Sequence, residues 1–266
     1  MRFTPGAVLL LTACCTLPGQ TASNKPAAPV AVANPAESDP AKGPLMSAAS
    51  TVRLTFNIEW RLIEAGTAVI ESGKQHAQMK LESAGMVSTL FKVHDQYSVN
   101  FDEPFCATGT LMDSFEGKRH HETKVTYDRA QNQATYVERD LLKEVVLHSD
   151  QIAVPNCVQD VITAFMKLRT LNIAPGQSTQ ITMSDGRKSA AVKVDAQERE
   201  EVKTPAGSFP AIRYEANMLN GVIYARKGRA FLWLTDDERH LLVQIRLRMQ
   251  FPIGTVTLQL AKEEHY

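Results

Sequence analysis

The sequence predicts a mainly β fold, a β-rich α+β domain built as a curved antiparallel sheet or half-barrel with one amphipathic helix packed on it. Three observations predict it. Apolar and polar residues alternate with a period of two in run after run from Val52 onward. Turn-forming residues separate those runs at the spacing of a meander. A single long segment, beginning at Asn156, changes the period to that of a helix.

The first strand is the clearest. Val52, Leu54, Phe56, Ile58 and Trp60 fall on one side and Arg53, Thr55, Asn57 and Glu59 on the other, the pattern of a half-buried strand. Alternation returns at Tyr97, Val99 and Phe101, at Val125 and Tyr127, at Ile181 and Met183, and at Val192 and Val194. It continues at Ile212 and Tyr214 and through Val243, Ile245, Leu247 and Met249. Asp185-Gly186 between two such runs is a hairpin signal, because both residues tolerate the backbone that a two-residue turn demands. Asn220-Gly221 and Pro205-Ala206-Gly207 mark further reversals, and Asp236-Asp237-Glu238 tops a hairpin between two apolar stretches.

From Asn156, the residues Val158, Val161, Ile162, Phe165 and Leu168 recur at helical offsets. Asn156 is placed to cap the first turn with Gln159 reaching back, and Asp160 lies near the positive end of the helix dipole. A shorter helix fits Met86, Leu90 and Val93, between flanks that read as strands.

Ahead of the domain, residues 1–13 read as a signal peptide: Arg2 precedes an apolar stretch, Ala7 to Leu11, too short for the about 20 residues that span a bilayer. Leu11-Thr12-Ala13-Cys14 resembles the bacterial lipobox, which implies acylation of Cys14 as the mature N-terminus; an ordinary cleaved leader with incidental cysteines is the alternative. Acyl chains at that position make membrane attachment durable. Cys15 is not the aspartate that retains lipoproteins at the inner membrane of many diderm bacteria, which favours the outer membrane. Residues 14–50 are rich in Pro, Ala and Ser and hold no aromatic residue, the composition of a disordered tether. Residues 51–266 form a single β-rich domain.

Composition excludes more than it assigns. The 29 basic and 29 acidic side chains cancel and no Lys/Arg run exceeds two, so the basic footprint of a nucleic-acid binder is missing. Cys106 and Cys157 are an even pair in an exported chain, most simply a disulfide, with two buried thiols as the alternative. The seven histidines are scattered, and adjacent His120 and His121 point to opposite faces of a strand, so no metal site or cofactor is expected. No nucleophile elbow and no phosphate loop occurs.

Trp60 with Ala65-Gly66-Thr67-Ala68, then Ser83, Gly85 and Phe91-Lys92-Val93 with Asp95, then Asp160 through Leu168-Arg169, form one series. Glu201-Val202 with Pro205-Ala206-Gly207-Ser208-Phe209, and Trp233-Leu234 with Asp236-Asp237 and Arg239, complete it. In order and spacing this series resembles the bacterial envelope family catalogued as domain of unknown function 3108, over roughly residues 52 to 262. The resemblance implies a periplasmic or outer-membrane-associated β-rich domain with no accepted enzymatic role and no catalytic residues to carry over. Its curved sheet is similar, by analogy of fold, to the half-barrels of lipoprotein carriers, which hold acyl chains. The Cys106 and Cys157 pair lies outside the general pattern of that family.

The expectation is therefore an exported, membrane-tethered binding or accessory module on the periplasmic side of an envelope, probing for lipid, glycan or another apolar or polymeric ligand. A structural or assembly partner of an envelope complex is the alternative. The least favoured reading, an envelope hydrolase, would require Asp160, Arg169, Asp236, Asp237 and Arg239 to converge in one cleft.

Overall fold

The computed structural model describes residues 51–266. The signal peptide, Cys14 and the tether over residues 14–50 lie outside the described residues. The chain runs through β1 (Val52–Trp60), β2 (Ile63–Ser72) and β3 (His76–Ser83) to a short helix, α1 (Gly85–Leu90). It continues through β4 (Val93–Asp102), β5 (Cys106–Glu116), β6 (Arg119–Asp128), β7 (Gln133–Asp140) and β8 (Val145–Ala153) to the longer helix α2 (Val161–Arg169). The second half holds β9 (Ser178–Ser184), β10 (Ser189–Thr204), β11 (Gly207–Ala216), β12 (Gly228–Thr235), β13 (Leu242–Met249) and β14 (Thr255–His265).

All fourteen strands join one antiparallel sheet in the order β8-β7-β6-β5-β4-β3-β2-β1-β14-β13-β12-β11-β10-β9. The two ends of the domain thus meet at the centre of the sheet, where β1 pairs with β14 from Val52 and His265 to Trp60 and Val256. The chain meanders outward to the β8 edge, crosses by way of α2 to the β9 edge, and meanders back. Alternation explains the register: Val52, Leu54, Phe56 and Ile58 are buried on β1 while the intervening residues are not. On β13 the expected alternation fails at its start. A bulge in the β12–β13 pairing, opposite Trp233 and Leu234, lets Leu242 and Val243 both be buried.

The core has two main lobes. The larger is built on β1, β2 and β9 to β14, and the smaller on β4 to β7 with Val154, Val158, Ile162 and Met166. Val161 and Phe165 of α2 pack against both, so the helix fills the seam of the curved sheet.

The start of α2 differs from the sequence expectation. The helix begins at Val161, and its N-cap is Asp160, which accepts from the backbone N–H groups of Ile162 and Thr163 while the Thr163 hydroxyl accepts from the Asp160 N–H. Asn156 instead grips the β6–β7 turn, donating to Arg129 O at 3.1 Å. The reason is that residues 157–159 are used as an extended tie. Ala107 N–H donates to Val158 O at 2.9 Å, Gln159 bridges Met183 of β9 in parallel, and the Cys106–Cys157 disulfide locks the tie with its Cα atoms 5.0 Å apart. Backbone groups committed to a sheet edge cannot also make a helical turn.

Candidate functional site: an apolar cavity and a polar chamber on the concave face

Inward-facing residues of β2, β3, β12, β13 and β14 form one wall of a cavity; α2 and the β11–β12 loop form the other. Its volume is 130 Å³. The lining is apolar almost throughout, with Met79, Phe165, Leu232, Ile245 and Met249 across from Met218 of the loop. Tyr224 and Arg226, also from that loop, supply the polar atoms. Arg226 forms no ion pair among the described residues. This arrangement offers water-excluding space for an apolar group, with one cation at its margin.

A second, polar chamber of 80 Å³ lies across Tyr224, which lines both spaces. Tyr97 donates to Asp160 Oδ2 at 2.8 Å, Tyr127 to Ser184 O at 3.1 Å, and Tyr136 to Glu138 Oε2 at 3.1 Å. Burial, reinforced by the Asp160 charge, pushes the Tyr97 hydroxyl well above the ordinary phenol range. Burial does the same to Tyr127 and Tyr224, so these hydroxyls remain hydrogen-bond donors across physiological pH. Further along the same wall, His121 meets Glu138 at 3.2 Å and Asp140 at 3.9 Å. Asp95 sits in the same row of the sheet as Ser114, and its buried Oδ1 has no hydrogen-bond partner. Desolvation raises its carboxyl to about 7 against the lowering pull of the Phe115 backbone and Glu116. No group of three or more metal-ligating side chains is suitably placed among the described residues.

The model of the family described as "Protein of unknown function (DUF3108)" matches residues 55–261, nearly the whole sheet. The chain belongs to the DUF3108 family. No curated protein matches it. Among solved structures, the DUF3108 domain is similar to a β-barrel-like protein of the DUF1849 family from Brucella abortus. The TM-score is 0.54 at 10% identity, over 81% of this chain and 98% of that one, a likeness of fold. A candidate exported protein with a YmcC-like fold from Bacteroides fragilis aligns at a TM-score of 0.30 and 13% identity, over 80% and 95% of the two chains. A candidate lipoprotein from Parabacteroides distasonis aligns at 0.29 and 8%, over 81% and 95%.

Residues that carry the DUF3108 resemblance hold the architecture together. A Cβ at Gly66 would lie 2.0 Å from Glu82 O, so β2 and β3 can approach only with glycine there. Trp60 Nε1 donates to Ile253 O, and Trp233 Nε1 to Glu200 Oε1, each at 2.6 Å. Of the five polar candidates, Asp160 stands alone at the N-terminus of α2, beside the polar chamber. The other four gather at the far end of α2, where Arg169 donates to His240 O at 2.9 Å and Arg239 O at 3.0 Å and so docks the helix on the β12–β13 turn. Asp236 pairs with Arg199 at 2.6 Å, and Arg239 reaches Glu263 at 3.4 Å and Asp237 at 3.3 Å. Asp236, Asp237 and Arg239 are exposed and line neither the apolar cavity nor the polar chamber.

Proposed function

We propose that this DUF3108 chain is an exported, membrane-tethered binding module that takes an apolar group of its ligand into the concave cavity. The cavity beneath the β11–β12 loop carries the reading: 130 Å³ lined by aliphatic, aromatic and methionine side chains. That size is close to the roughly 150 Å³ engineered apolar cavity that accepts benzene. It suits a short apolar group or the terminal segment of an acyl chain, while a longer chain requires the loop to lift. Arg226 at the margin suits an anionic head, so a fatty acid or another anionic amphiphile is the ligand class. The leader, Cys14 and the composition of residues 14–50 support export and tethering, with the outer membrane favoured by Cys15. The disulfide supports an oxidising compartment.

Fluorescence titration with a dansyl-labelled fatty acid tests the cavity. Ile245→Trp fills it and Arg226→Glu reverses the charge at its margin; each is expected to weaken binding about tenfold or more, equivalent to about 1.4 kcal/mol. Unaltered affinity in a folded Ile245→Trp variant overturns the reading.

One observation favours the second reading, an assembly partner. Among the described residues β8 pairs only with β7, and Val145, Val146 and Leu147 on it are exposed, so this edge can accept a strand from another protein. Crosslinking from a photoreactive residue at Ser149 in intact envelopes that returns no protein adduct would count against it.

A further inference from the structure

We propose that the end of the sheet carrying the cavity loop docks directly on a lipid bilayer, as a membrane contact separate from any lipid at the N-terminus. Four connections at that end form a continuous surface: the β1–β2 turn, α1 with its flanks, the β11–β12 loop and the β13–β14 turn. Hydrogen bonds tie α1 to the start of β2, the β1–β2 turn to the β13–β14 turn, and that turn to the β11–β12 loop. Ala84 N–H donates to Ala65 O at 2.8 Å, Arg61 Nε to Ile253 O at 3.2 Å, and Gln250 N–H to Lys227 O at 3.2 Å.

Their tips hold large apolar side chains in water. Leu62 is 93% exposed and Phe251 89% exposed, with Leu90 at 75% and Met86 at 59% beside them. Arg61, Lys92, Arg226 and Lys227 lie in the same four connections, which contain no acidic residue; the acids in the turns at this end, Glu144 and Asp185, belong to the β7–β8 and β9–β10 turns. The opposite end of the sheet differs in both respects, being mixed in charge and without apolar tips in its turns. Its turns carry Glu103, Asp236, Asp237 and Glu238 among the cations Lys74, Arg129 and Arg239, and no exposed large apolar side chain.

This pattern selects the partner. The core of a protein–protein interface is depleted of charged residues, and interfaces as a whole are depleted of lysine. Here the cations are interleaved with the apolar tips. Isolated apolar tips that enter the acyl boundary, with cations level with anionic headgroups, are the chemistry of interfacial membrane binding. Docking also turns the β11–β12 loop, which covers the apolar cavity, toward the source of acyl chains; the docking itself stands without the cavity's being a ligand site.

The test is co-sedimentation of the chain from Cys15 onward, which lacks the acylation position but retains every described residue, with phosphatidylcholine vesicles with and without phosphatidylglycerol. Binding is expected to rise with phosphatidylglycerol and fall with added salt. Leu62→Asp with Phe251→Asp is expected to reduce the vesicle partition coefficient about tenfold or more. Leu111→Asp, which removes an exposed leucine from β5, is expected to bind like the parent, and all variants to melt at the parent's temperature. The proposal is overturned if the parent does not sediment with anionic vesicles, if the double variant binds equally well, or if the patch proves to be covered by a second copy, seen as a dimer that the double variant dissociates. Dansyl fatty acid binding measured on the same double variant separates the two ideas, because loss of docking leaves the cavity intact.

Discussion

At the scale of single residues, the inner wall of β4 to β7 shows how a half-barrel can carry polar groups inside. Asp95 shares its inward parity with Tyr97, Val99 and Phe101, and Glu138 and Asp140 share theirs with Ala134 and Tyr136. The folded Asp95 carboxyl holds its proton up to about pH 7, against an ordinary value of 3.8. Between those values the folded state binds more protons than the unfolded state, so the Asp95 contribution to stability falls as pH rises. Denaturant titrations are expected to show Asp95→Asn flattening this decline and exceeding the parent's stability at pH 8, by no more than about 4 kcal/mol. A decline of equal slope in the variant would assign the effect elsewhere. Gly66 makes a sharper case: its Cβ would strike the Glu82 carbonyl at 2.0 Å, so Gly66→Ala must push β2 from β3. A loss of more than about 2 kcal/mol, measured by urea unfolding, is expected.

At the scale of elements, what the sequence made legible depends on whether local chemistry or long-range contact decides the structure. Strand β1, the Asp185-Gly186 hairpin, the reversals at Pro205-Ala206 and Asn220-Gly221, and the short helix after Ser83 are all local, and all could be read. The cap of α2 was misplaced because Cys157, Val158 and Gln159 are claimed by β5 and β9, partners about 50 and 25 residues away in sequence; no local pattern announces that. β12 hides a different long-range effect. AFLWLT reads as wholly apolar although Ala230 and Leu232 line the cavity while Phe231 and Trp233 face the other way. Arg213, Arg229 and Arg248 stack on Phe231, and Arg246 stacks on Trp233, so guanidinium planes bury both aromatics on the outer face. The candidate site was legible only in part, since Asp160 marks the polar chamber but the cavity is assembled from five strands, a helix and a loop. Two element-scale outcomes follow. Replacing Cys106 and Cys157 together by serine frees the tie and is expected to cost about 4 kcal/mol in the chain-entropy model. Arg169→Ala removes both hydrogen bonds that dock α2 on the β12–β13 turn and is expected to cost about 3 kcal/mol, read by thermal or chemical unfolding.

For the whole molecule, the meander places the two termini of the sheet side by side at its centre and leaves its two edges to be managed separately. The β9 edge is partly closed by the tie through Gln159, and the β8 edge has no further strand partner among the described residues, although Arg187 of the β9–β10 turn reaches its Asp150 at 2.8 Å. Between them, α2 divides the concave side into an apolar cavity and a polar chamber that share Tyr224. The proposed function requires that the apolar side of this division receives ligand. Methyl NMR of a sample labelled at isoleucine and methionine, titrated with decanoate, tests it most directly. Shifts are expected at Met79, Met218, Ile245 and Met249, which line the cavity, with Met183 and Ile212 unmoved. Shifts confined to residues remote from the cavity, or no saturable shifts at all, would contradict it.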